Sequence, residues 1–287
     1  MSFNFWLGSA ASFFELLRDI EVAIEKYGSL NAMKHQIELR ASEDDEADFN
    51  PVSYDLIGNV AVIGIEGSTI ARSSFFSQIF GIPSYEDIKA RFIQAHDDPE
   101  AKAVVMTIDT NGGTSEGVFS LSRFIYEFNA KIMPVISYDI SKQLSAGLVY
   151  GSAGGQMIAD QDASIGSIGA IYVHREITEA LKMEGIKATV FRSAPYKALG
   201  TPYEKLNDTA KQEIEAELML GHNKFVDTLA HNTGVKVETV HTWATGKVFA
   251  ADKALNMGLL DSIQPVENVI AKLNKKLENA PRTAALR

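Results

Sequence analysis

A chain of 287 residues with 46% hydrophobic and 22% charged side chains can bury a large core and needs no covalent staple. It contains no cysteine, which excludes disulfides and cysteine-ligated metal. Its formal charge of −10 and pI near 5.1 repel phosphate, which argues against nonspecific nucleic-acid binding.

The opening segment, MSFNFWLGSAASFFELLRDIE, lacks a basic leader, and Glu15, Arg18 and Asp19 interrupt it. It reads as neither a signal peptide nor a membrane span, and no other run reaches the roughly 18 uncharged apolar residues a span requires. Trp6, Phe13, Phe14, Leu16, Leu17 and Ile20 suggest an amphipathic helix. Residues 1–40 are therefore expected to form a helical N-terminal extension that packs on its own domain, on a neighbouring subunit or on a membrane surface. The acidic run EDDEADFNP ends in Pro51, which cannot continue a helix, and 41–52 is expected to be a linker.

From residue 54 the pattern alternates. VAVIGIEGSTI (60–70) predicts a strand. SYEDIKARFIQAHDD (84–98) predicts a helix opened by a Ser84–Asp87 capping box. KAVVMTID (102–109) reads as a buried strand broken by NGG (111–113), SEGVFSLSRFIYEFNA (115–130) as a helix, and PVISYDI (134–140) as a strand. SKQLSAGLVYGSAGG (141–155) reads as a turn opening a helix. QMIAD (156–160), SIGAIYVH (167–174) and KATVFR (187–192) predict strands, with a helix over 175–185. Further helices are expected over 207–234, 236–246, 250–260 and 266–280, the last docking through Val266, Val269, Ile270 and Leu273. Strand–helix alternation at this rhythm implies an α/β fold with a largely parallel sheet. Ligands of such sheets sit beyond the carboxyl ends of strands, so the turns at 111–113 and 145–147 should lie near each other.

Ser145 can be read as a helix cap, a packing residue or a nucleophile. A serine hydroxyl needs a base to take its proton as it attacks. None of His35, His96, His174, His222, His231 and His241 lies in a glycine-rich turn after a strand, which disfavours a histidine triad. A lysine serves if burial lowers its pKa. Lys197, beside Pro195, Tyr196, Ala198, Leu199 and Gly200, fits such a sheltered setting. Lys142 competes by proximity but should point to solvent from a turn. NGG can be an ordinary tight turn, or it can aim backbone N–H groups at an oxyanion, as can the N–H of Ala146. Ser152 reads as packing. Ser167 lacks the G-x-S-x-G spacing of a hydrolase elbow and is not read as a nucleophile.

The succession DTNGG, LSAGLVYGSAGGQMIADQDASIGSIGAIY, FRSAPYKALGTPYEKLND and WATGKVFAADKALNMGLLD resembles the signal-peptide-peptidase A family, the S49 serine peptidases, over roughly residues 55–265. The resemblance implies a Clp-protease/crotonase-like fold of repeated ββα units. It divides the chain into the extension (1–40), the linker (41–52), a peptidase domain (53–265) and a C-terminal helix and tail (266–287). It also implies a Ser–Lys dyad of Ser145 and Lys197, oxyanion donors on Gly113 and Ala146, and Ser167 as the residue that orients the lysine. No metal, nucleotide or other cofactor is implied. This sequence departs from the family where Thr110-Asn111-Gly112-Gly113 replaces Ser-Pro-Gly-Gly and Ser145-Ala146-Gly147 replaces Ser-Gly-Gly. No segment of this sequence reads as the family's membrane anchor, and soluble, anchorless relatives of the family occur as bacteriophage head-maturation proteases. The expected setting is therefore a soluble, cytoplasmic homo-oligomeric ring, acting on capsid and scaffold proteins in the host cytoplasm or procapsid. A cytosolic bacterial peptidase of the same family is the second reading. A crotonase-type acyl-CoA enzyme and a catalytically idle structural component are further alternatives.

Overall fold

The computed structural model describes residues 6–8, 54–74, 77 and 81–278. Its first half comprises β1 (Trp6–Gly8), β2 (Asp55–Ile57), β3 (Val60–Glu66), α1 (Tyr85–Asp97), β4 (Ala103–Thr110), β5 (Gly112–Thr114), α2 (Val118–Lys131), β6 (Val135–Leu144) and α3 (Ala146–Gly151). The second half comprises β7 (Gln156–Ala159), β8 (Ser164–Gly166), α4 (Thr178–Met183), α5 (Asp208–Thr233), α6 (Val237–Trp243), β9 (Val248–Ala250), α7 (Ala251–Asn256), β10 (Ser262–Ile263) and α8 (Val266–Leu277).

The main sheet runs β10-β7-β6-β4-β3-β2. Its inner pairs are parallel, and the β2–β3 hairpin at the edge is antiparallel. Strand β4 shows why the sheet is central. Its sequence AVVMTIDT is apolar without clean alternation, as expected when both faces are covered. Val104, Met106 and Ile108 enter a front core with Ile88 and Phe92 of α1, Leu121 and Ile125 of α2, and Phe225 and Leu229 of α5. Ala103 and Val105 enter a smaller back core, where α8 lays Val269, Ile270, Leu273 and Leu277 on Val60, Ile136, Tyr138 and Ile158. The docking helix expected over 266–280 is thus present.

Helix α1 begins where its capping signal puts it. Ser84 Oγ accepts from Asp87 N–H at 3.0 Å, and the Asp87 carboxylate accepts from Ser84 N–H at 3.3 Å. Helix α5 starts at Asn207, whose side-chain oxygen accepts from Ala210 N–H at 2.8 Å, and stops at Gly234 in the left-handed conformation.

NGG ends β4 at Thr110 as expected, and Gly112–Thr114 then form a short strand of their own. Four local expectations fail. Strand β6 continues through Ser141, Lys142 and Gln143, which were expected in a turn. It does so by changing neighbours: the register on β4 jumps from Ile108↔Asp139 to Thr110↔Gln143, and Lys142–Leu144 then pair with β8. The strand expected over 167–174 lies earlier, at Ser164–Gly166, because Gly166 (φ 128°) and Ser167 (φ 54°) turn the chain away. KATVFR (187–192) forms no strand, since alternation without a neighbouring edge gains no ladder, and Phe191 is 90% exposed. Finally, Trp6–Gly8 form a strand inside the segment expected to be helical; the remainder of that extension, the 41–52 linker and the end of the tail lie outside the described residues.

Candidate active site

Ser145 joins β6 to α3 with φ 52° and ψ −113°. Only three non-glycine residues among those described have positive φ: Ser145, Ser167 and Ala198, the residue after Lys197. Such conformations cost about 1–3 kcal/mol each and concentrate at functional sites. All three here fall on or beside residues that the sequence nominated. Ala146, whose N–H is a candidate oxyanion donor, has no such strain.

The reading of Ser145 as a cap is excluded. Its position is that of an N-cap, yet its side chain makes no capping bond. Its Oγ is buried and has no hydrogen-bond partner among the described residues, so none of the described histidines holds it. The backbone is fixed instead: Ser145 N–H donates to the Gly166 carbonyl at 2.9 Å, and the Ser145 carbonyl accepts from Leu148 and Val149. This ties the elbow to β8 and brings Ser167 next to it along the chain. Ser167 is half-buried and its N–H donates to the Lys247 carbonyl at 2.8 Å. A groove of about 710 Å³ opens beside Ser167, lined in part by Ile168, Met219, His222 and Val248.

The expected meeting of the two glycine turns is present. A Cβ on Gly147 would lie 2.3 Å from the Thr110 methyl, so the start of α3 packs directly on the end of β4. Gly113 is buried, and its backbone does not require glycine by φ; the need is spatial. A Cβ there would meet Thr69 Oγ1 at 2.2 Å, the Thr69 carbonyl at 2.3 Å and Tyr85 Oη at 2.8 Å. Sequence reasoning missed the residues that hold this turn. Thr69 brackets β5 through Gly112 and Thr114, Tyr85 Oη donates to the Thr114 carbonyl at 2.7 Å, and Thr110 Oγ1 donates to the Gly67 carbonyl at 2.6 Å. No spacing links Tyr85 or Thr69 to NGG; only the fold does.

Lys197 is placed differently from the expectation. It is exposed, in an irregular segment where Phe191 and Tyr196 are exposed as well, and it forms no salt bridge among the described residues. The sheltered apolar pocket read from its neighbours is not formed within one protomer, because this stretch crosses the surface instead of the core. Lys142 is exposed as expected, although from a strand. Ser152, expected to pack, is buried and donates to the Val149 carbonyl at 2.9 Å.

One further buried acid lies six residues before Ser145. Burial, then the negative charge of Asp109, pushes the Asp139 carboxyl up to about 8; the Ser141 and Gln143 N–H groups act in the opposite direction without completing a normal hydrogen bond to either oxygen. Burial likewise raises the Tyr85 and Tyr150 hydroxyls, keeping both neutral beneath the turn.

No helix among the described residues is long and apolar enough to cross a membrane. The chain is 27% identical over 250 residues to capsid assembly protease C of Escherichia phage lambda, covering 87% of this chain and 56% of that protein. It is 25% identical over 229 residues to head-tail preconnector protein GP5 of Enterobacteria phage P21, covering 80% and 45%. A putative signal peptide peptidase SppA of Enterococcus faecium is 22% identical over 223 residues, covering 76% and 64%. The chain thus spans about half the length of the two phage relatives. The model of peptidase family S49 matches residues 127–280, more than half of the sequence and the part that carries Ser145, Ser167 and Lys197, and the chain belongs to that family.

Proposed function

We propose that this chain is a serine endopeptidase in which Ser145 attacks a peptide carbonyl and neutral Lys197 accepts its proton. The oxyanion forms between the N–H groups of Gly113 and Ala146, and Ser167 orients the lysine. Protonated Lys197 then passes its proton to the leaving amine, and water attacks the acyl-enzyme to release Ser145. One observation carries this reading: Ser145 Oγ is buried at a strained strand-to-helix elbow and has no hydrogen-bond partner among the described residues. An unpaired buried hydroxyl costs stability, which a reacting group repays in function. The fold reading extends in the same sense, toward repeated ββα units of the Clp-protease and crotonase kind. The runs β2-β3-α1 and β4-β5-α2 support it.

The lysine's exposure in a single protomer bears on assembly. An amine in water stays charged at neutral pH and cannot act as a base. Lys197 therefore has to be covered, and the exposed Met183, Ile186, Phe191 and Tyr196, which precede it in the chain, provide apolar surface for a second copy to bury. A homo-oligomeric ring in which protomers complete one another's sites fits both facts. By similarity to the lambda and P21 proteins, the proposed substrates are capsid and scaffold proteins, cleaved in the host cytoplasm or procapsid; the alternative is a bacterial signal-peptide-peptidase-like role.

Mass spectrometry of co-expressed capsid and scaffold proteins tests the reading. Wild type should yield defined cleavage products, and Ser145→Ala and Lys197→Ala should each yield none while keeping the wild-type circular dichroism spectrum. Wild-type cleavage by Ser145→Ala would refute it.

A further inference from the structure

Strand β5 has two edges. Thr69 takes one of them: its N–H donates to the Gly112 carbonyl and its carbonyl accepts from Thr114 N–H, both at 3.0 Å. Backbone groups alternate along a strand, so the N–H and carbonyl of Gly113 face the other edge. There β1 lies antiparallel, with Trp6 opposite Thr114, Leu7 opposite Gly113 and Gly8 opposite Gly112. Among the described residues these two strands form a sheet of their own.

We infer that Trp6–Gly8 occupy the peptide groove of their own protomer in the register of a substrate, with Leu7 where the attacked residue of a foreign peptide would lie, an inference that rests on the reading of Gly113 as an oxyanion donor. Strand addition to an open edge is a general mode of peptide recognition, in which main-chain bonds supply affinity. The edge of β5 suits it, because the N–H and carbonyl of Gly113 both face that side, away from Thr69. Gly113, whose N–H is to receive the oxyanion, has Leu7 as its partner in β1. Ser145 is fully buried in the protomer, as a nucleophile beneath a filled groove should be. A covalently attached competitor acts at high effective concentration, so even a weak three-residue ladder holds the groove against dilute peptides. The N-terminal segment is thus a tethered competitor that a substrate must displace.

The test uses the full chain in a Ser145→Ala background, where cleavage cannot intervene. A fluorescently labelled peptide of residues 4–10 is titrated into that protein, into the same protein carrying Leu7→Pro, and into one carrying Gly8→Pro. Proline at 7 removes the N–H that faces Gly113, whereas the N–H at 8 points away from β5. Leu7→Pro should bind the free peptide at least tenfold more tightly than the other two, and hydrogen exchange across 111–115 should quicken in Leu7→Pro alone. Equal peptide affinity in all three proteins, or unchanged exchange across 111–115, overturns the inference. Hydrolysis by the wild-type chain is read separately. A wrong nucleophile leaves the peptide affinities as stated, and a groove free of β1 leaves hydrolysis intact.

Discussion

The Tyr85 hydroxyl donates to the carbonyl of Thr114 at 2.7 Å, so the first residue of α1 holds the end of the strand that carries Gly113. Tyr85 makes no hydrogen bond to Ser145 Oγ; it positions the turn. Tyr85→Phe keeps the ring and its edge-on contact with Tyr150 but removes the donor. Loss of one such bond should cost about 1–2 kcal/mol in urea unfolding. In peptide hydrolysis kcat should fall by roughly tenfold with KM little changed, since the oxyanion donor loosens more than the groove does.

Ser145 holds its strained backbone only because the surrounding structure imposes it. Glycine adopts φ 52° without steric cost. Ser145→Gly should therefore abolish hydrolysis while raising stability by about 1 kcal/mol, read as a higher midpoint in thermal unfolding. A lower midpoint would mean that the serine hydroxyl stabilises the elbow.

The Asp139 carboxyl titrates at about 8 in the fold against 3.8 for an ordinary aspartate, so the folded chain binds the extra proton between those values. Stability from this group is complete below about pH 4 and is lost as pH rises toward 8, at up to ~1.4 kcal/mol per pH unit. Asp139→Asn cannot ionise. Its unfolding free energy should decline less than that of wild type between pH 5 and 8.

Asn232 on α5 donates one amide hydrogen to Ser122 of α2 and one to Ser152 at the end of α3, each at 2.9 Å. It joins three helices over the front core. Asn232→Ala leaves two buried hydroxyls without that partner and should destabilise by about 1–3 kcal/mol in urea unfolding. Because Ser152 ends the helix that Ser145 begins, hydrolysis should weaken as well.

Local signals were legible wherever a residue acts within its own turn. Ser84 with Asp87, Asn207 with Ala210, and Gly234 each mark a helix end by chemistry confined to a few positions. Parallel strands such as KAVVMTID were legible because burial on both faces makes them uniformly apolar. The sequence ends β6 at Ile140 because Ser141-Lys142-Gln143 are polar; Lys142 and Gln143 extend the strand by pairing with β8, 22 residues on. Ser145, Gly113 and Ala146 were named from glycine placement and motif order, whereas Thr69 and Tyr85 reach the Gly112–Thr114 turn through contacts that no local pattern records. The shelter read around Lys197 failed because neighbours in sequence did not become neighbours in a core.

The back of the sheet sets a clock on folding. The Asn274 side chain on α8 accepts from Asn59 N–H at 2.7 Å and donates to the Ile57 carbonyl at 2.8 Å, clamping the tip of the β2–β3 hairpin across 215 and 217 positions. Closing so wide a loop is slow, and until it closes Val60, Val105 and Ile136 stay wet on one side. A nascent chain whose front layer has already assembled still shows chaperones and other proteases a half-open sheet, and only arrival of that distant helix ends the exposure.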